Sequence, residues 1–315
     1  MHSLLMVSQV IRTAVDAQAP IVALESALIT HGFSYPDSVA ITRRMADAIR
    51  AEDGHPAVIG VWRGKARVGL SSSQIDQLAA DEKAYKVSVR DLALIGARKG
   101  HGGTTVAATS LLAHRSGIRV FATGGIGGIH RGHPEDVSAD LPVLATTPII
   151  VVCAGAKSLL DLPRTREFLE TWGVPVLGWQ TDEFPAFYSR HSGLLVDQQV
   201  QEPEEVTEVF RAQRQLGLPQ ALLVTVPLPP DDEVPADVVE PMIAQAMADA
   251  ESQGVSGKDL TPFILSRMVA LSEARTKHAN EALLIRNAQV AARIARALTP
   301  YDTQPTAGAL DEPRT

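Results

Sequence analysis

The chain has 315 residues, 45% of them hydrophobic and 21% charged, with a formal net charge of -7. That balance suits a globular protein with room for a substantial core, and it excludes an extended nucleic-acid footprint, which needs dense Lys and Arg surfaces. The single Cys153 excludes an intrachain disulfide and a thiolate metal cluster; with no apolar run of ~20 residues and no basic-then-apolar leader, a cytoplasmic protein is expected.

A first helix is expected over about 3–17, followed by PIVALE (20–25), a short buried strand ending on a carboxylate. Apolar spacing predicts a helix between Pro36 and Gly54, and PAVIGVWRGKARVGL (56–70) reads as a hairpin turning at Arg63-Gly64-Lys65. A strand at 86–88, a glycine-rich turn at 100–103 and a helix at about 104–116 make a second alternation. IRVFATGGIGG (118–128) and PIIVVCAGAK (148–157) each run from strand into small residues, before a helix at 164–172 and a strand at 174–178. Helices are expected at 203–216, 235–253, 259–272 and 276–298, with one further strand at 221–226. Strands separated by helices predict an α/β/α sandwich around a mixed, largely parallel sheet, with functional loops at the strand carboxyl ends. Residues 1–299 read as one domain and 300–315, rich in Pro, Gly and charge, as a frayed tail.

Three segments could carry chemistry. CAGAKS (153–158) delivers Lys157 from an apolar strand through small residues into an expected helix start, where partial desolvation and a positive helix end would lower its pKa and free the amine for attack on a sugar carbon. Taken alone, the local sequence favours a surface lysine after a turn. Glu25, closing an apolar strand, is either satisfied by nearby backbone or kept for proton transfer. TGGIGGIHRGHPEDVSAD (123–140) has the density of a ligand loop: Asp136 and Asp140 could hold a hard divalent cation, or cap helices in a solvated loop. GHGGTT (100–105) could cradle phosphate through backbone amides and the Thr104 or Thr105 hydroxyl, although it has no P-loop ending, and GGIGG misses the dinucleotide-binding spacing.

Taken in order, VALES (22–26), KVSVRDL (86–92), GGTTVAAT (102–109), VFATGGIGGIHRG (120–132), DVSADL (136–141) and VVCAGAKSLLDLPRT (151–165) resemble the pseudouridine-5'-phosphate glycosidases. Further similarity lies in LGWQTDEFPAFYSRHSG (177–193) and GVSGKDLTPFIL (254–265). The resemblance implies that Lys157 attacks the anomeric carbon and becomes a Schiff base, with Glu25 as proton donor. It implies Asp136 as the aspartate of a Mn2+ (or another divalent cation) site, Lys86, Val106, Ser138, Ala139 and Asp140 as substrate contacts, His130 and Asn280 as additional participants, and a homotrimer. The substrates implied are ribose 5-phosphate and a planar ring.

The chain departs from the family pattern in several places. HGGTT at His101 replaces NGATT, TVPLP (225–229) replaces ANPIP, Glu273-Ala274 replaces a glycine pair, Arg286-Asn287 replaces paired asparagines, and FSYPDS (33–38) replaces MPYPQN. Loss of amides at His101 and Val226 argues against uracil as the ring, since a base offering donors and acceptors suits amide partners. The sequence reading therefore favours a related C-glycosynthase joining ribose 5-phosphate to an aromatic, polyketide-like carbon, with pseudouridine 5'-phosphate cleavage as the alternative and a non-catalytic phosphosugar-binding protein as a reading of another class.

Overall fold

The computed structural model describes residues 4–255, 257 and 260–298; the tail expected at 300–315 lies outside them. In chain order the strands are β1 (Leu5–Val7), β2 (Ile21–Leu24), β3 (His55–Trp62), β4 (Lys65–Val68), β5 (Tyr85–Val87), β6 (Gly102–Thr104), β7 (Val120–Ala122), β8 (Ile129–His130), β9 (His133–Val137), β10 (Ile150–Cys153), β11 (Leu160–Asp161), β12 (Val176–Trp179), β13 (Gln198–Val200) and β14 (Leu222–Thr225). The helices are α1 (Gln9–Asp16), α2 (Ala27–His31), α3 (Asp37–Ala51), α4 (Ser72–Ala79), α5 (Asp91–Arg98), α6 (Val106–Arg115), α7 (Asp140–Leu144), α8 (Leu162–Thr171), α9 (Pro203–Gln215), α10 (Ala236–Ser252), α11 (Leu260–Leu271) and α12 (Arg275–Leu298).

The main sheet runs β1-β4-β3-β2-β7-β10-β14-β12-β13, with β6 paired to β3 and β5 to β6. From β3 through β2 to β13 every pairing is parallel, whereas β4 and β6 meet β3 antiparallel. Every residue of β2, β7, β10, β12 and β14 is buried. Successive side chains on a strand point to opposite faces, so both faces of the sheet centre are covered and the expected α/β fold with a mixed, mostly parallel sheet holds. α12 lies across β2, β7 and β10, between α3 and α9. A second sheet, β11-β8-β9, is antiparallel; β8 and β9 come from the loop that the sequence marked for ligands and β11 from the segment after Lys157.

Two local expectations are corrected. The expected first helix begins instead as β1, whose Leu5, Met6 and Val7 pair with Ala66, Arg67 and Val68 of β4; Ser8 then caps α1 by accepting from the Ile11 amide. The glycine-rich turn at 100–103 passes into strand at Gly102 and Gly103. A Cβ on Gly102 would lie 2.5 Å from the Val87 side chain, and one on Gly103 2.4 Å from the Ser26 carbonyl oxygen. These glycines permit close packing of β6 against its neighbours rather than approach of a phosphate.

Candidate active site

β2, β7 and β10 are adjacent and parallel, so the residues beyond their carboxyl ends are neighbours. Glu25 follows β2, Thr123 follows β7, and Lys157 stands four residues past β10. Glu25, Lys86, Lys157 and Asn280 line one cavity of about 70 Å³, closed by Phe187 and by Pro262 and Leu265 of α11. Four candidates that lie far apart in the sequence are thereby brought together.

The half-buried Lys157 does not open a helix, contrary to expectation. Its amide donates to the Ile126 carbonyl at 3.1 Å, its own carbonyl accepts from the Leu160 amide at 3.0 Å, and β11 follows before α8 begins. The amine therefore does not stand at the start of the helix that follows it. The turn is gripped by a residue the sequence reading did not assign: Arg131 donates to the carbonyls of Ser158 (2.8 Å) and Leu160 (3.0 Å), and its two terminal nitrogens also meet Glu240 of α10 at 2.6 and 3.0 Å. The rigid guanidinium fork makes these contacts together, which a lysine cannot do.

Glu25 accepts a short hydrogen bond from the Thr123 hydroxyl. Burial raises its pKa above the usual carboxylate range, opposed by Lys157, the Thr123 bond and Lys86, and reinforced by Asp140. The group thus holds a proton to higher pH than a free carboxyl, as a proton donor must. Fully buried Asn287 fixes the strand end beside it by donating to the carbonyls of Thr123 (2.8 Å) and Gly124 (3.4 Å). Phe187, with φ +65°, occupies a backbone region costly for a bulky residue, and a Cβ on Gly125 would lie 2.7 Å from its ring. Thr123 and Arg131 lie in the glycine-rich loop, Phe187 in the segment 177–193 and Asn287 beside the departure at Arg286, but the sequence reading assigns none of the four a role.

The remaining candidates divide between structural and open positions. Thr104 is buried, with its hydroxyl donating to the Ile59 carbonyl at 2.7 Å, so its hydroxyl is committed within the sheet and not to a phosphate. Thr105 caps α6 through the Ala108 amide, and Val106, the first helical residue, is buried. The buried carboxylate of Asp140 accepts from the Ala107 amide with one oxygen and from the Gly127 amide with the other, both at 2.8 Å. It clips the start of α6 to the glycine loop, which corrects the expectation of Asp136 and Asp140 as a cation pair. Ser138 accepts from the Asp140 amide at 3.2 Å, and Ala139 precedes α7.

Asp136 is exposed on β9 and shares with His130 a separate cavity of about 590 Å³. Burial lowers the pKa of half-buried His130, with Asp136 opposing and the charges of His133, Lys157 and Lys86 adding to the drop, so a neutral imidazole is favoured near pH 7. Among the described residues no three His, Cys, Asp or Glu side chains converge. The donor set at Asp136 therefore fits a hard cation held by one carboxylate and mostly by water, not a closed protein cage.

The two departures that argued against uracil do not line the cavity of Lys157. His101 packs edge-on against Trp62, ring centroids 4.1 Å apart, and Val226 lines a different cleft. Their loss of amides thus gives no ground for excluding uracil, and that inference from the sequence is withdrawn.

The family described as indigoidine synthase A like protein matches residues 10–297. A pseudouridine-5'-phosphate glycosidase of Methylobacterium nodulans is 48% identical over 311 residues, covering 98% of this chain and 92% of that protein. Among solved structures, an indigoidine synthase A-like protein of Thermotoga maritima superposes with a TM-score of 0.87 at 33% identity, over 95% of this chain and 98% of the other. The prealnumycin C-glycosynthase, solved in complex with ribulose 5-phosphate, does so with the same TM-score and coverage at 37% identity. A lyase of carbon-carbon glycosidic bonds is the class these findings define. The chain belongs to the pseudouridine-5'-phosphate glycosidase family. Among the described residues, no helix is long and apolar enough to cross a membrane.

Proposed function

We propose that this protein reversibly cleaves pseudouridine 5'-phosphate to uracil and ribose 5-phosphate. The observation that carries the reading is the shared cavity of Lys157, Glu25, Lys86 and Asn280 at the carboxyl ends of β2, β7 and β10. The amine of Lys157 adds to C1' of the ribose as the bond from C1' to the ring oxygen breaks and that oxygen takes a proton. Protonated Glu25 then gives a proton to the ring carbon of uracil. The nitrogen lone pair forms the C=N bond, and the electrons of the C1'-uracil bond return to the base, which departs. Water hydrolyses the protonated imine, releasing ribose 5-phosphate and the free amine.

Lys86 and Asn280 would hold the sugar phosphate and base, with Val106, Thr105 and Ser138 through Asp140 shaping the neighbouring floor. Neutral His130 would accept a hydrogen bond or a proton beside Lys157. Asp136 would hold a divalent cation such as Mn2+ largely through water, and such an ion would supply positive charge near the phosphate. A cavity of about 70 Å³ is small beside the 300–1,000 Å³ typical of ligand sites, so the cover formed by α11 would move to admit substrate. The homotrimer implied by the family resemblance would be read from sedimentation.

The C-glycosynthase reading keeps one specific support, the 37% identity to a C-glycosynthase over 95% of this chain. Incubation with pseudouridine 5'-phosphate and, separately, with ribose 5-phosphate plus a fused aromatic acceptor separates the two. Release of uracil without ribosylation of the aromatic is expected; the reverse outcome would establish the synthase. Binding of both sugars without turnover would leave a phosphosugar-binding protein.

A further inference from the structure

A larger cavity, about 640 Å³, opens at the carboxyl ends of β12 and β14. It lies against a different face of α12 from the Lys157 cavity: Asn280 and Leu284 line one, Glu281, Ile285 and Arg286 the other. The general rule that ligands bind outside the carboxyl ends of parallel strands applies here as well. Two of the positions where the chain lacks an asparagine expected from its family, Val226 and Arg286, meet in this cleft.

The polar groups of the cleft are unevenly satisfied. At its rim, Arg44 pairs with Glu281 at 2.7 Å and His278 with Asp232 at 3.1 Å. Arg190 is fixed by donation to the Leu228 carbonyl, and its own amide donates to Glu233 at 2.8 Å. Half-buried Arg286 makes no hydrogen bond or ion pair with a described residue. Burial and the neighbouring Arg293 both disfavour its charge, with Glu52 only partly offsetting them. The indole nitrogen of Trp179, a residue 3% exposed, also lacks a partner among the described residues. A partly desolvated guanidinium with no directly paired carboxylate is costly, and an anionic ligand would reduce that cost.

We propose that this cleft is a second ligand site, taking a small phosphate monoester whose phosphate pairs with Arg286 beside Arg190 and whose body rests on Val226, Pro227 and Ile285. The guanidinium fork matches phosphate oxygens in pairs, and the apolar wall suits a carbon skeleton. The site is independent of Lys157 and of the reaction proposed for it.

The test is equilibrium dialysis of the full chain with radiolabelled ribose 5-phosphate as probe, comparing wild type with Arg286→Gln and Arg286→Lys. Wild type is expected to bind one more probe per chain than Arg286→Gln, in which that class of site weakens at least about tenfold, while Arg286→Lys falls between them. Matching circular dichroism and melting profiles establish that each variant is folded; if Arg286→Gln does not fold, the Lys variant and Val226→Asp, which places a negative charge in the cleft, carry the comparison. Equal stoichiometry and affinity in all folded variants would overturn the proposal. So would unchanged probe binding together with an altered sedimentation coefficient in Arg286→Gln, because the cleft would then serve a second copy of the chain.

Discussion

Helix α12 presents different faces to two cavities that handle charge in opposite ways. In the smaller one, burial disfavours the charge of Glu25 and the nearby Lys157 and Lys86 offset that only in part, so the carboxyl can shed its charge by holding a proton. In the larger one, Arg286 stands half-buried with no hydrogen-bond or ion-pair partner among the described residues. The residues matching the family motifs gather in the first, and two of the departures gather in the second. Divergence in this chain has therefore altered a neighbouring cleft while leaving the amine and acid in place, and the substitutions taken alone suggest more change of chemistry than their positions support.

The sharpest break between the regions is expected from Lys157→Ala, which should lower uracil release by at least about 10⁴-fold, whereas Arg286→Gln should leave turnover at saturating substrate within about twofold. Equal losses would abolish the distinction. Glu25→Gln should cost about 10²–10⁴-fold in turnover. It should also change the pH dependence of stability. Because burial raises the pKa of Glu25 in the folded state, wild type loses stability as pH climbs from the usual carboxyl range through that raised value, while Gln cannot ionise. In urea melts the variant should be the more stable protein at pH 8, with the advantage vanishing below about pH 4; an advantage that persists in acid would contradict this origin.

Arg131→Gln releases the turn that carries Lys157 from Glu240 of α10, and a fall of about 10–100-fold in kcat is expected from a misplaced amine. Glu240→Gln should reproduce part of that loss with little change in Tm; a loss of Tm without a change in kcat would make the contact purely structural. The smallest effect belongs to Ala274→Gly. Glu273 and Ala274 replace an expected glycine pair yet keep left-handed backbones, with φ of +48° and +67°. Relieving one should stabilise the chain by about 0.5–1 kcal/mol in urea unfolding while altering neither cavity.

The fold was legible where burial is continuous. Ile21–Leu24, Ile150–Cys153 and Leu222–Thr225 are unbroken apolar runs because parallel strands covered on both faces have no polar side to display. β1 was hidden because Leu4 through Ile11 fits a helix as well as a strand, and only its pairing with β4 decides. At the site, family motifs marked Lys157, Glu25, Lys86 and Asn280, which the fold brings together. The supporting contacts were not legible: Asp140 joins amides 33 and 13 residues away, and Asn287 reaches carbonyls more than 160 residues away. The start of α8 did have a local signal, since Asp161 caps it at the Arg164 amide with Pro163 in its first turn, and that signal places Lys157 before a strand rather than at a helix end.

Trapping the sugar on the amine tests the central claim most directly. Protein incubated with ribose 5-phosphate and borohydride should gain the mass of one reduced phosphopentose per chain, mapped by peptide mass spectrometry to Lys157 and absent from Lys157→Ala. An adduct on Lys86 instead, or turnover of pseudouridine 5'-phosphate by Lys157→Ala at the wild-type rate, would contradict the account.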